Sequence, residues 1–158
     1  MARKLTASDV REVSGYDRNA FRAVLDALPH YKDSGAQARV AREFTRHELI
    51  VFSVMNVLET RYGLRRSAVV GLFVPLRAAL SGPKRVNRQA RLLISIQPQA
   101  INYIEDITKM EDGILVPLQA VFERVDGYLG VHLDGTTEIQ SNLKLGPTVM
   151  SSRKKQRA

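Results

Sequence analysis

Three polar side chains at helical spacing are the first feature of this sequence that could do chemistry. Arg18, Asn19 and Arg22 fall in one predicted helix, directly after a turn at Gly15 and the N-cap residue Asp17. On such a helix, Arg can pair with guanine and Asn with adenine through two hydrogen bonds. The helix N-terminus also attracts phosphate. The three residues therefore predict a surface that reads duplex DNA; the alternative is a solvated helix face.

More basic side chains surround a run of turn-forming residues, 32–35. Residues 30–44 are predicted to form a two-stranded ribbon that turns within this run. Lys32, Arg39 and Arg42 on such a ribbon would contact phosphates in a fixed register. The alternative is that these cations only protect an exposed strand edge from pairing.

The sequence lacks the residues that several classes of chemistry require. The chain has no cysteine, which excludes disulfides, thiol catalysis and thiolate metal sites. Its three histidines do not share a metal-ligand spacing. The carboxylates that cluster in sequence are Glu105, Asp106, Glu111 and Asp112. No nucleophile elbow or phosphate-binding glycine loop accompanies them, so a solvated acidic loop is the stronger interpretation. We expect no enzyme, no metal and no cofactor.

The net charge of +8 is unevenly distributed along the chain. Residues 1–91 contain 17 Lys or Arg and 8 Asp or Glu, whereas residues 92–150 contain 3 and 8. Four more basic residues lie in 151–158. A basic first part is the electrostatic footprint expected for phosphate binding. We expect the basic tail to raise non-specific affinity for DNA.

Two short helices are predicted at the start of the chain. Thr6 and Asp9 form a capping box, which predicts a helix over about residues 7–13. A second helix is predicted over about residues 18–28, where Pro29 stops it. Its apolar positions are Phe21, Val24, Leu25 and Leu28. Because a short turn joins the two helices, they are a candidate helix-turn-helix.

A longer helix is predicted after the ribbon, starting at a second capping box formed by Thr45 and Glu48. The side chains expected on its core side are Leu49, Phe52, Met55, Val57, Leu58 and Tyr62. Gly63 is expected to end it. A last helix starts near Arg66, but an interior proline costs about 3 kcal/mol. Pro75 therefore predicts a kink or two short helices.

Turn-forming residues divide the chain into four parts, with breaks at Gly82-Pro83 and Gly146-Pro147. The predicted parts are a largely helical domain over residues 1–81, a basic linker over 82–91, a small αβ segment over 92–146 and a disordered basic tail over 147–158. The predicted fold class is therefore α+β.

The αβ segment is predicted to contain strands and one helix. The strand candidates are residues 92–96, 100–104 and 114–116. Glu111-Asp112-Gly113 is a hairpin-turn signal before the last of them. Pro117 begins a helix whose apolar positions are Leu118, Val121, Phe122, Val125 and Leu129. We expect this apolar face to form the contact between two copies of the chain.

The order of these elements and three local motifs resemble the DNA-binding domain of the MerR family over about residues 5–80. Residues 15–22 (GYDRNAFR) are similar to the family's turn and recognition helix. Residues 41–49 (AREFTRHEL), which include Arg46, are similar to the end of its wing, and Gly63-Leu64 followed by Val69 to its final helix. The chain differs from the family at Ala23-Val24, where paired tyrosines are usual, and at Gly82-Pro83, where a long dimerising helix would follow.

The resemblance implies an N-terminal winged helix-turn-helix in a transcription regulator that binds an inverted repeat of double-stranded DNA as a homodimer. The expected DNA contacts are Arg18, Asn19, Arg22, Lys32, Arg39, Arg42 and Arg46. Two alternatives remain open: a protein-interaction adaptor acting through the acidic αβ segment, and an excisionase-like architectural protein that bends DNA. The sequence shows neither a signal peptide nor a membrane-spanning run, so we expect a cytoplasmic protein.

Overall fold

Seven helices and one three-stranded antiparallel sheet make up the described part of the chain. The computed structural model describes residues 3–32, 41–82, 90–105 and 112–132, with side chains through residue 130. The predicted α+β class is confirmed. No helix within these ranges is both long enough and apolar enough to cross a membrane.

The first helix, α1 (Ala7–Ser14), begins at the predicted capping box. The backbone N–H and the hydroxyl of Thr6 both donate to Asp9 Oδ2, at 2.7 and 2.8 Å. Gly15 follows the helix with a φ of 83°, and its N–H donates to the carbonyl of Arg11. This left-handed conformation is easily adopted only by glycine. The chain can therefore turn at once toward the next helix.

The second helix, α2 (Arg18–Ala27), is capped by Asp17, whose carboxylate accepts a backbone hydrogen bond from the first turn at 2.8 Å. It ends before Pro29, as predicted, but Pro29 then begins a further short helix, α3 (Pro29–Lys32). Proline suits a first helical position because its φ is already helical there. The strand predicted at the start of the ribbon is therefore wrong. Residues 33–40, which include its predicted turn, lie outside the described residues.

The described end of the predicted ribbon meets the beginning of the chain. Phe44 forms an antiparallel bridge with Leu5, and its N–H donates to the carbonyl of Leu5 at 2.9 Å. Residues 41–43 have no regular secondary structure. Within the described residues, the second predicted ribbon strand is thus reduced to one bridge.

The long helix α4 (Arg46–Thr60) starts at the second predicted capping box, in which Glu48 accepts from the N–H and hydroxyl of Thr45. The predicted buried face is too narrow, because every residue from Glu48 to Met55 is buried. A helix that is apolar nearly all round lies inside a fold, not on its surface. Tyr62, predicted to be on the core side, lies beyond the helix end and is 37% exposed.

Two short helices, α5 (Arg66–Gly71) and α6 (Phe73–Ala79), take the place of one longer helix, as Pro75 predicted. Pro75 lies in the first turn of α6. A missing N–H removes no helical hydrogen bond at that position, so the proline fits there. Both short helices contact α4 and cover part of its surface.

The sheet contains β1 (Arg91–Ile96), β2 (Gln99–Ile104) and β3 (Ile114–Pro117) in the order β2-β1-β3. The three strands match the predicted candidates closely. The hairpin predicted at residues 111–113 is wrong, because β3 pairs with β1 and not with β2. Gly113 instead permits a close approach, since a Cβ there would lie 2.7 Å from the carbonyl oxygen of Ile94.

The last described helix, α7 (Gln119–His132), packs against α1 and α4. The buried residues at its start and along it are the predicted ones, Leu118, Val121, Phe122, Val125 and Leu129. They join one core cluster with the helices of the first half. The predicted dimer contact on this face is therefore wrong, because the same chain already covers it. Tyr128 adds a polar link by donating to Asp9 Oδ1 at 2.6 Å.

Candidate functional site

A groove of about 560 Å³ opens beside α2. It is lined by α1, α2, α3 and the segment before α4, and we call it the basic groove. Its lining residues are Ala7, Arg11, Arg18, Phe21, Arg22, Leu25, Asp26, Tyr31, Lys32 and Arg42. Among the described residues, five cations and one carboxylate therefore share this surface. Such an excess of positive charge favours a polyanionic ligand.

The helix α2 places its charged side chains on the groove because its apolar side chains are anchored in the core. Phe21 is buried and packs edge-to-face on Phe52 with ring centroids 5.2 Å apart. Arg18, Arg22 and Asp26 are spaced by four residues, which puts them along one stripe of the helix. The stripe is exposed along its full length. The fold therefore presents a charged helical face held by aromatic packing.

The other wall of the basic groove is α3, which a buried hydrogen bond fixes to α4. The Tyr31 hydroxyl donates to Glu48 Oε1 at 2.6 Å, while Glu48 Oε2 accepts from Thr45. Burial, followed by this hydrogen bond, raises the pKa of Tyr31 well above its usual value. The phenol thus stays protonated and keeps donating at physiological pH.

Arg42 is held against the same tyrosine. Its Nη2 donates to the carbonyl oxygen of Tyr31 at 2.7 Å, and its guanidinium lies 4.9 Å from the Tyr31 ring centroid. The backbone carbonyl is at the end of α3, where the favourable partner is a cation. Arg42 therefore positions α3 while its charge contributes to the basic groove.

The structure brings together four of the seven residues predicted as DNA contacts: Arg18, Arg22, Lys32 and Arg42. Asn19 is exposed on α2 but is not part of the groove lining. Arg39 lies outside the described residues.

Arg46 has a different environment from the other predicted contacts. Its Nε and Nη2 donate to the two carboxylate oxygens of Asp126 on α7, at 2.8 and 3.0 Å. Its guanidinium also lies 5.9 Å from the Phe122 ring centroid. Arg46 thus links α4 to α7 and is not among the lining residues of the basic groove.

Sequence reasoning missed two charged residues of the groove, Arg11 and Asp26. Arg11 follows Ala7 by one helical turn, so the shared face was readable from the sequence. That this face of α1 borders α2 is a consequence of tertiary packing, which no local motif encodes. Asp26 ends the charged stripe of α2 and lies 3.9 Å from Arg22 Nε.

The clusters of His, Asp and Glu side chains in the described residues give no comparable site. Within the described ranges, no group of three His, Asp or Glu side chains is arranged to hold a metal ion. Of the acidic sequence cluster, Glu105 and Asp112 are exposed, whereas Asp106 and Glu111 lie outside the description.

Comparison with known proteins finds no family model, no curated protein and no solved structure that matches this chain. The fold and the groove by themselves define an α+β protein with a basic groove beside the exposed charged stripe of α2.

Proposed function

We propose that this chain is a sequence-specific DNA-binding regulator of the MerR-like type, which binds an inverted repeat as a homodimer. The observation that carries the proposal is the basic groove, in which Arg18 and Arg22 of α2 lie among cations from three other segments. In this proposal α1, the turn at Gly15 and α2 form the helix-turn-helix, and α2 is its recognition helix.

The dimensions of α2 support this role. Its ten residues span about 15 Å, and a B-DNA major groove about 12 Å wide admits an α-helix. Arg18 and Arg22 are four positions apart, which corresponds to about 6 Å of helix rise. That distance corresponds to roughly two base pairs of 3.4 Å each. The two guanidinium groups can therefore address two nearby guanines.

The cations that α1 and α3 contribute to the groove suit phosphate binding. Arg11 comes from α1, and Lys32 comes from the end of α3. Phosphate contacts orient a protein on the duplex without reading sequence. Replacing Lys32 with Gln should weaken binding to all duplexes and lower the salt slope by about one.

The homodimer follows from how little DNA one recognition helix covers. Symmetric dimers on paired half-sites are the usual way to lengthen such a site. Because the apolar face of α7 is buried within the chain, the contact between copies uses another surface.

The test is selection from random duplexes, followed by titration of the enriched duplex and a scrambled one. We expect an enriched inverted repeat bound at least about a thousandfold more tightly than scrambled DNA at physiological salt. Binding should weaken steeply as salt rises. If no duplex is enriched and no binding is measured, the proposal fails and the protein-interaction adaptor becomes the leading alternative.

A further inference from the structure

Asp26 carries a negative charge in a groove whose other charged lining residues are cations. It is the sole carboxylate among the described residues that line the basic groove, whose lining also contains five cations. The side chain is 73% exposed, and its Oδ2 lies 3.9 Å from Nε of Arg22, which is itself 84% exposed. Asp26 also lies in the last turn of α2, where the helix dipole disfavours a negative charge. Arg22 and Asp26 form an i,i+4 ion pair, but the cation precedes the carboxylate and both side chains are exposed, so it adds little to the stability of α2.

We propose that Asp26 is a specificity-determining residue of the basic groove. It directs Arg22 toward a base edge, rejects phosphate at that end of α2, and so favours a G·C pair over the DNA backbone. This inference rests on the proposed function.

The chemistry of the pair supports this choice of base. Arginine donates two hydrogen bonds to the O6 and N7 of guanine, and a carboxylate accepts from the N4 amino group of cytosine. Arg22 and Asp26 lie one turn apart on the same stripe, so both can face one base pair or two adjacent ones. A phosphate has no hydrogen-bond donor to offer the carboxylate, and the two negative charges repel each other. Removing the carboxylate frees Arg22 to bind phosphate at any sequence.

The experiment compares Asp26→Asn with Glu123→Gln. Glu123 is an exposed residue of α7 outside the groove, and its replacement removes the same single charge. Both variants and the parent are titrated with the selected duplex and with scrambled duplex at two salt concentrations. Thermal unfolding checks that each variant is folded. Asp26→Asn should be about as stable as the parent, because it removes an unfavourable charge from the helix end and breaks only an exposed ion pair with Arg22.

Asp26→Asn should bind scrambled DNA more tightly than Glu123→Gln does, and its preference for the selected duplex should fall about tenfold. Selection repeated with Asp26→Asn should lose the G·C preference at one position in each half-site. If the two variants behave alike on both duplexes, the role of Asp26 is overturned while the proposed function stands. A parent protein that binds neither duplex would overturn both.

Discussion

Replacing Tyr31 with Phe should loosen the wall of the basic groove. The change removes one hydroxyl, which donates to Glu48 Oε1 at 2.6 Å in a buried setting. Hydrogen bonds to a charged acceptor contribute about 1.5–3 kcal/mol. Losing this one leaves a buried carboxylate oxygen of Glu48 without its phenol partner. We therefore expect a loss of about 2 kcal/mol in the free energy of unfolding. For a chain of this length that corresponds to a fall in Tm of about 4–8 °C.

The matched control is Tyr62→Phe. It makes the same chemical change where the hydroxyl donates to the Leu115 carbonyl at an exposed site. Water can satisfy that carbonyl, so the control should lose no more than about 0.5–1 kcal/mol. Urea denaturation at pH 7 measures both losses. The reasoning is refuted if Tyr31→Phe is no more destabilising than Tyr62→Phe.

The hydrogen bond between Tyr31 and Glu48 also predicts that the stability of the protein depends on pH. Burial and the bond to Glu48 raise the pKa of Tyr31 above the value near 10 that it has in the unfolded chain. The stability linked to this raised pKa is complete below about pH 10 and is lost as the pH rises further. Phenylalanine does not ionise. The difference in stability between the parent and Tyr31→Phe should therefore narrow above about pH 10.

Other contacts give further expectations, each measured by urea denaturation. Burial tends to raise the pKa of Asp9, but hydrogen bonds from Tyr128 and from the helix cap lower it overall. Asp9→Asn should therefore cost about 1–3 kcal/mol of unfolding free energy at pH 7. The difference from the parent should shrink below about pH 4, where the parent protonates Asp9. Asp17→Ala removes the N-cap of α2 and should cost about 1 kcal/mol, whereas Asp17→Asn should retain most of the stability. Arg46 and Asp126 are 47% and 51% exposed, so a double-mutant cycle should give a coupling of no more than about 1 kcal/mol. A coupling well above that value would show that the pair is more sheltered from solvent than these exposures indicate.

Helix starts were predictable from the sequence because their signals are local. The Thr6 and Thr45 capping boxes each depend on residues three positions apart, and both appear where they were predicted. Pro75 likewise acts on its own turn and divides α5 from α6. The three strands were also recognisable from short apolar runs.

Features that depend on distant partners were harder to predict. The sequence of α4 suggested one apolar face, but neighbours on several sides bury nearly all of its first half. The apolar face of α7 suggested a second copy of the chain, yet α1 and α4 cover it. A turn signal at residues 111–113 indicated a hairpin, whereas the strand after it pairs with β1 across the sheet. Periodicity shows that a surface must be buried, not what buries it.

In the candidate site, too, residues marked by local signals were predicted, and residues brought together by packing were not. Arg18 and Arg22 were identified because helical spacing and a capped turn define an exposed stripe. Arg46 was included by its nearness to a motif, and its pairing with Asp126 depends on a residue 80 positions away. Arg11 was missed because only packing brings α1 beside α2.

The most direct test of the central claim compares two double variants that remove the same charge. Arg18→Gln with Arg22→Gln alters the basic groove, whereas Arg61→Gln with Arg124→Gln alters exposed cations outside it. Each is titrated with the selected and the scrambled duplex at one salt concentration. A lost arginine–guanine contact costs about 1–3 kcal/mol, so the groove pair should bind the selected duplex at least about thirtyfold more weakly than the parent. Its preference over scrambled DNA should also be largely lost, while the control pair should keep that preference. Equal losses in the two double variants would contradict the account, because the basic groove would then contribute only net charge.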